Sequence, residues 1–145
     1  MVTAMKAWLL CLLCWCAGVA VRAEGEFRAS KADVKKEIVA VVEAQLAAFR
    51  KGDAPKAYAY SATALQRQRP LRVFTAIVKD SYPEIWTNTG AEFGLVRDDG
   101  SRAKLLVHVK GKDGEASYDY LLLKERAGWR IEGVLRHEPT KNEKV

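Results

Sequence analysis

The chain is 145 residues long, 49 % hydrophobic and 29 % charged, a length and balance that fit one domain around one core. Its net charge is +6. The basic residues (Arg28, Lys31, Lys35, Lys36, Arg50, Lys51, Lys56, Arg67, Arg69 and Arg72 among them) are spread out rather than clustered with aromatics, which excludes a nucleic-acid footprint.

The N-terminus reads as a processing segment. Lys6 precedes an apolar run over residues 7–21, and Val21-Arg22-Ala23 supplies a small-x-small exit. This is the pattern of a secretory signal peptide, residues 1–23, cleaved after Ala23. The run is shorter than the roughly 20 residues a membrane span needs, so no stable span is expected after cleavage. An uncleaved anchor is the competing reading. A lipoprotein is disfavoured because Leu10, Leu13 and Trp15 precede Cys11, Cys14 and Cys16, where lipidation wants a small residue. The expected location is periplasmic or secreted. All three cysteines lie in this segment, so the remainder has no disulfide, thiol nucleophile or thiolate ligand.

Residues 24–29 form a polar lead, and a single domain is expected over 30–137. Val34, Ile38, Val41, Val42, Leu46 and Phe49 make one apolar stripe, predicting a helix over 33–51. Ser30 offers its N-cap and Gly52 an αL C-cap. Asp53 caps a second helix over 54–64, rich in alanine and tyrosine. Pro70 opens a third, with Leu71, Phe74, Ile77 and Val78 on one face, and Tyr82-Pro83 ends it.

Beyond Trp86 the period changes to two. Strands are expected over 92–97, 103–110, 116–124 and 129–136, joined by turn-like segments as a meander. A tight turn at Asp113-Gly114 pairs Val109 with Tyr118, Val107 with Tyr120 and Leu105 with Leu122. The last hairpin pairs Leu122 with Ile131 and Tyr118 with Leu135. An odd loop in the first hairpin pairs Phe93 with Val107 and Leu95 with Leu105. The inner face then carries Ala91, Phe93, Leu95, Leu105, Val107, Val109, Tyr118, Tyr120, Leu122, Trp129, Ile131 and Leu135, with Gly133 as its gap. Residues 138–145 form a polar tail.

The segment Gln45-Leu46-Ala47-Ala48-Phe49-Arg50-Lys51-Gly52-Asp53, followed by Ala57-Tyr58, resembles the opening of the cystatin-like, cone-shaped α+β superfamily. That superfamily includes ketosteroid isomerase, scytalone dehydratase and the nuclear transport factor 2-like (SnoaL-like) proteins. Tyr82-Pro83, Glu92-Phe93-Gly94 and Trp129-Arg130-Ile131 are similar to an uncharacterised family of short exported bacterial domains within it. The resemblance implies an α+β cone, its N-terminal helices packed on a curved four-stranded antiparallel sheet. It implies no activity, because the superfamily hosts isomerases, dehydratases, carriers and interaction modules. The isomerase pattern of an aspartate base with tyrosine and acid oxyanion donors has no residue-by-residue match here, so no catalytic residue is assigned.

Three constellations remain. Glu92, His108 and Asp119 are expected in one cross-strand row on the outer face, as a pH-responsive cluster or, more plainly, a surface charge row. With only His108 and His137 in the chain, neither metal nor cofactor is expected. Val96, Leu106, Leu121, Leu123 and Val134 are outer-face aliphatics ringed by charge, suited to a homodimer or protein partner. Tyr58, Tyr60, Tyr82, Trp86, Tyr118, Tyr120 and Trp129 either line a pocket for a small apolar ligand or simply fill the cone. The favoured reading is an exported, non-catalytic binding module for a small apolar ligand or a protein partner. The alternatives are an isomerase or dehydratase using cone tyrosines, and an interaction module working through the outer sheet.

Overall fold

A computed structural model describes residues 25–138. The signal-peptide assignment and residues 139–145 of the tail lie outside the described residues. Helix α1 (Ala32–Arg50) carries the predicted stripe: Ile38, Val42, Leu46 and Phe49 are buried, and Val34 and Val41 pack at its margin. It lies on the inner face of an antiparallel sheet made of β1 (Arg28–Ala29), β2 (Asn88–Asp98), β3 (Arg102–Gly111), β4 (Glu115–Glu125) and β5 (Gly128–Arg136), in that spatial order. Between α1 and the sheet strands run α2 (Ala54–Ala59), α3 (Thr63–Gln68), α4 (Leu71–Ser81) and α5 (Pro83–Trp86).

The sheet therefore has five strands, not the four expected. The extra one is the lead itself, Arg28 opposite Asp98 and Ala29 opposite Arg97, prolonged by Ser30 N–H donating to the Val96 carbonyl at 3.0 Å. This occupies the residue expected to cap α1. Ser30 donates its hydroxyl to Asp98 instead, and Lys31 stands at the N-cap without a side-chain bond.

The second helix also ends early. After Ala59 the backbone pairs with β5: Ile131 N–H donates to Tyr60 C=O at 2.9 Å and Ala62 N–H to Ile131 C=O at 2.8 Å. Ser61 forms an isolated parallel bridge to Ile131, and the chain re-enters a helix at Thr63. There Glu125 of β4 supplies the missing cap by accepting from the Thr63 N–H and hydroxyl.

Register differs from expectation in three places. Between β3 and β4 it is displaced by two residues, because a four-residue turn pairs Lys110 with Glu115 and hence Val107 with Tyr118. An even displacement leaves every side chain on its expected face. The other two are bulges, which do not. In the first hairpin Asp98 pairs with Ala103, so the extra residue expected in the loop sits inside β2, between Phe93 and Val96. Gly94 permits it, since a Cβ there would lie 3.3 Å from the Leu106 carbonyl oxygen. Val96 thus turns into the core at 2 % exposure while Leu95 faces out at 56 %. In β5, Leu121 opposes Gly133 and Leu122 opposes Ile131, leaving Glu132 as the extra residue. Val134 turns inward against the core and Leu135 outward, the reverse of expectation for both. Val96 and Val134 are accordingly not outer-face interface residues.

The α5 turn is held tightly against the β3–β4 end of the sheet, where a Cβ on Gly111 would lie 2.8 Å from Glu84 Cα. Asn88 closes the junction. Its amide donates to Leu46 C=O (3.0 Å) and Ile85 C=O (2.8 Å), and its Oδ1 accepts from Arg50 (2.8 Å).

The β2 bulge makes adjacent residues unequal. Val96→Ala is expected to lower the unfolding free energy by about 1–3 kcal/mol through lost burial. Leu95→Ala should change it by less than about 0.5 kcal/mol. Denaturant titrations of the two variants check the difference, and equal losses would refute the bulge.

Candidate functional site

Between the C-terminal half of α1, the α3–α4 pair, α5 and β5 lies a cavity of about 270 Å³ that opens to solvent. Its walls follow from the irregularities just described. The break after α2 brings Ser61 to the sheet, Pro70 turns α4 across the opening, and the β5 bulge sets Gly133 and Val134 along one side. Gly133 leaves open space, with no heavy atom within 4 Å of where its Cβ would stand. Gln45, Phe49, Phe74, Val78, Ile85 and Ile131 form the buried floor. Phe49 and Phe74 rings are stacked with centroids 6.3 Å apart. Leu65, Arg69, Ile77, Glu132 and Leu135 stand nearer the opening.

The polar groups of this floor are few. Gln45 donates its amide to Ala57 C=O at 3.2 Å. Ser61 is 1 % exposed, and its hydroxyl has no hydrogen-bond partner among the described residues. An unpaired buried hydroxyl costs about 1–3 kcal/mol, and with its oxygen closed to solvent Ser61 carries that cost within the core. At the opening, Glu132 faces Arg102 at 3.9 Å, whereas Arg69 makes no ion pair among the described residues.

Of the seven aromatics proposed from sequence, Tyr82 alone lines this cavity, donating its hydroxyl to Val134 C=O at 2.9 Å. Tyr58 shares its hydroxyl between the carbonyls of Gln66 and Arg69 and thereby pins the α3–α4 connection. Tyr60 packs half-buried at the core margin, and Trp86 lies against Phe49 with centroids 5.9 Å apart. Trp129 is buried under Lys124, whose ammonium lies 5.6 Å from the ring centre. Tyr118 and Tyr120 are core residues of β4. Sequence reasoning missed Ser61, Arg69 and Gln45. Gly133, read as a gap in the inner face, was the signal pointing here.

An acid does join Tyr118, from α5 rather than from the sheet. Tyr118 donates its hydroxyl to Glu84, whose two oxygens also receive Arg136 at 3.0 Å. Burial opposes ionisation of Glu84 most strongly. The bonds from Tyr118, its own backbone and Arg136 together outweigh it and hold the carboxyl below its ordinary pKa. Burial, then the bond to Glu84, pushes the Tyr118 phenol up. Tyr120, fully buried with its hydroxyl unpartnered, is also pushed up by burial.

The outer-face row is rearranged by the β3–β4 register. Glu92 does pair with His108, but the residue opposite His108 on β4 is Ser117, not Asp119. His108 bonds Ser117 Oγ at 3.0 Å and Glu115 at 2.8 Å, while Glu92 turns to Lys110 at 3.2 Å. The His108 bond draws the Glu115 pKa down. Asp119, two residues along, bonds His137 at 3.0 Å. Leu106 and Leu123 remain on the outer face, and Leu121, opposite Gly133, reaches the cavity. Among the described residues there is no group of three or more potential metal ligands and no helix long and apolar enough to cross a membrane.

Fold and site together define an α+β domain in which the helices, set between β1 and β2 in the chain, pack on a five-stranded antiparallel open sheet, with a solvent-open, mostly apolar cavity beside β5. The chain belongs to the DUF4864 family, a domain of unknown function, whose family model matches residues 31–144. No curated protein matches the chain, and no solved structure does.

The Glu84 cluster has a definite pH signature. A carboxyl with a depressed folded pKa adds stability above its unfolded pKa, near about 4.3, and that stability is lost as pH falls through the folded value. Tyr118→Phe should therefore cost about 0.5–1.5 kcal/mol at neutral pH. Its stability curve should converge on the wild-type curve under acid conditions. Urea unfolding across pH checks this; parallel curves would show that Glu84 is not the group involved.

Proposed function

We propose that this chain is an exported, non-catalytic binding module of the cystatin-like cone architecture that holds a small apolar ligand between its helices and its sheet. One observation carries the reading: a solvent-open cavity of about 270 Å³, mostly apolar in its lining, between the helices and β5. Floors of this composition, apolar with one or two placed polar groups, suit small organic ligands. The cavity lies just under the roughly 300 Å³ at which drug-sized sites begin, so the ligand is small. The resemblance of the α1–α2 segment to the cone superfamily and the secretory pattern of residues 1–23 supply the architectural and export parts of the proposal.

An isomerase or dehydratase using the tyrosines draws no support from their surroundings. Tyr118 already donates its hydroxyl hydrogen bond to an ionised carboxylate, and both phenols are weakened as acids by burial. A second reading does have an observation behind it. Leu95 and Leu135 are more than half exposed, and Leu106 and Leu123 stand on the outer sheet face, which suits association through that surface.

Native mass spectrometry of the protein isolated from its exported location tests the first reading. A reproducible added mass, lost on denaturation, is expected. Ile77→Trp, which enlarges a half-buried side chain that lines the cavity, should remove most of that mass while retaining the fold by circular dichroism. A bare chain at dimer mass would overturn the ligand reading in favour of the outer face.

A further inference from the structure

We propose that the layer formed by α2, α3 and α4 is a docking face for an anionic lipid bilayer. The proposal goes beyond the cavity reading and stands without it.

The basic residues are spread along the chain, but the acidic ones are not. Residues 54–79, from the start of α2 to the last turn of α4, hold Lys56, Arg67, Arg69, Arg72 and Lys79 and no aspartate or glutamate. At the chain's own frequency of 18 acids in 145 residues, a stretch of that length would carry about three. All five cations are exposed, and none makes an ion pair among the described residues. Asp53 and Asp80 mark the ends of the stretch, the first taken up in capping α2. The carboxylates that border it from the sheet are engaged: Glu125 accepts from the Thr63 N–H and hydroxyl, and Glu132 faces Arg102. One free arginine would say little. A whole helical layer without counter-charge holds a positive potential that several anionic headgroups offset together.

Charge alone would suit any polyanion; the apolar residues among the cations favour a bilayer. Between Arg67 and Val73 three arginines alternate with Pro70, Leu71 and Val73, and Val73 is 41 % exposed, one of four large hydrophobics so open to solvent. On α4, Phe74 and Val78 are buried, while Arg72, Val73, Ala76 and Lys79 are exposed. Small aliphatics and arginine stems of this kind enter the headgroup layer, and the guanidinium groups meet lipid phosphates there. The face is also built in advance. Tyr58 of α2 donates its hydroxyl to the carbonyls of Gln66 (2.9 Å) and Arg69 (2.8 Å), and its ring lies 5.1 Å from that of Phe74. The three helices are thereby tied together, so docking orders little that is not already fixed.

Co-sedimentation of protein produced from the full chain with lipid vesicles tests this. One set of vesicles mixes phosphatidylglycerol with phosphatidylcholine in a one-to-two ratio, and the other is phosphatidylcholine alone. Tighter binding to the first set is expected, falling steeply as salt is raised. Replacing Arg67, Arg69 and Arg72 together by Gln should weaken it about a hundredfold, from about fivefold per cation near an anionic surface. Replacing Lys31, Lys35 and Lys36 by Gln removes the same charge from exposed positions at the start of α1, and should weaken it less than about threefold. Val73→Ser should weaken vesicle binding and leave capture on heparin, a soluble polyanion, unchanged. Any pull of residues 1–23 on lipid is common to all these proteins and cancels in the comparison, and circular dichroism checks that each variant keeps the fold. Equal binding to the two vesicle sets, equal losses in the two triple variants, or a Val73→Ser protein that binds vesicles like the wild type overturns the proposal.

Discussion

Side chains alternate strictly between the two faces of a pleated strand, and this domain depends on interrupting that rule between Phe93 and Val96 in β2 and at Glu132 in β5. Without the interruption, Leu95 and Leu135 would enter the core and Val96 and Val134 would face solvent. With it, the bulge at Glu132 brings Val134, opposite the buried Tyr120, to the helical side near the point where Ser61 crosses to meet Ile131, and turns Gly133 opposite Leu121. The cavity is thus a product of backbone irregularity rather than of small side chains alone.

The polar interior is divided between two kinds of site. At the β3–β4 end every strong group has its partner: Glu84 takes Tyr118 and Arg136, and Asn88 takes Arg50 and two carbonyls. Such a network rigidifies, because losing any member strands the others in a poorly solvated place. It clamps α5 on the sheet, and Gly111 allows the approach. At the cavity end Ser61 has no partner, and Tyr120 and Trp129 each carry an unpaired polar atom deeper in the core. Tyr120 and Trp129 contribute their large apolar surfaces to the core, which offsets one unsatisfied atom. Ser61 buries little apolar surface, so nothing of the kind offsets its hydroxyl.

Much of the architecture was legible from periodicity. The 3.6-residue stripe of α1 names four of its six buried residues, and the change of period after Trp86 names four of the five strands. Parity arguments survived an error of two residues in the β3–β4 register, since even displacements preserve faces. They failed at the bulges, where an extra residue could sit in the turn or in the strand with the same apolar pattern. The strand β1 escaped notice because two residues carry no periodicity. The site was the least legible part. Tyrosine and tryptophan drew attention as amphipathic residues, yet the structure uses most of them as core or as pins for loops. Ser61 sits in no motif. Its importance comes from a backbone pairing with Ile131, a residue 70 positions away.

That division bears on where function resides. The ionised Glu84 illustrates the contrast. Its surroundings stabilise charge by satisfying it, leaving neither a poised proton nor a vacant lone pair for chemistry. An acid catalyst wants the opposite, a carboxyl kept neutral by burial without partners. The Glu84 cluster therefore works as a structural clamp that holds α5 against β4 and β5.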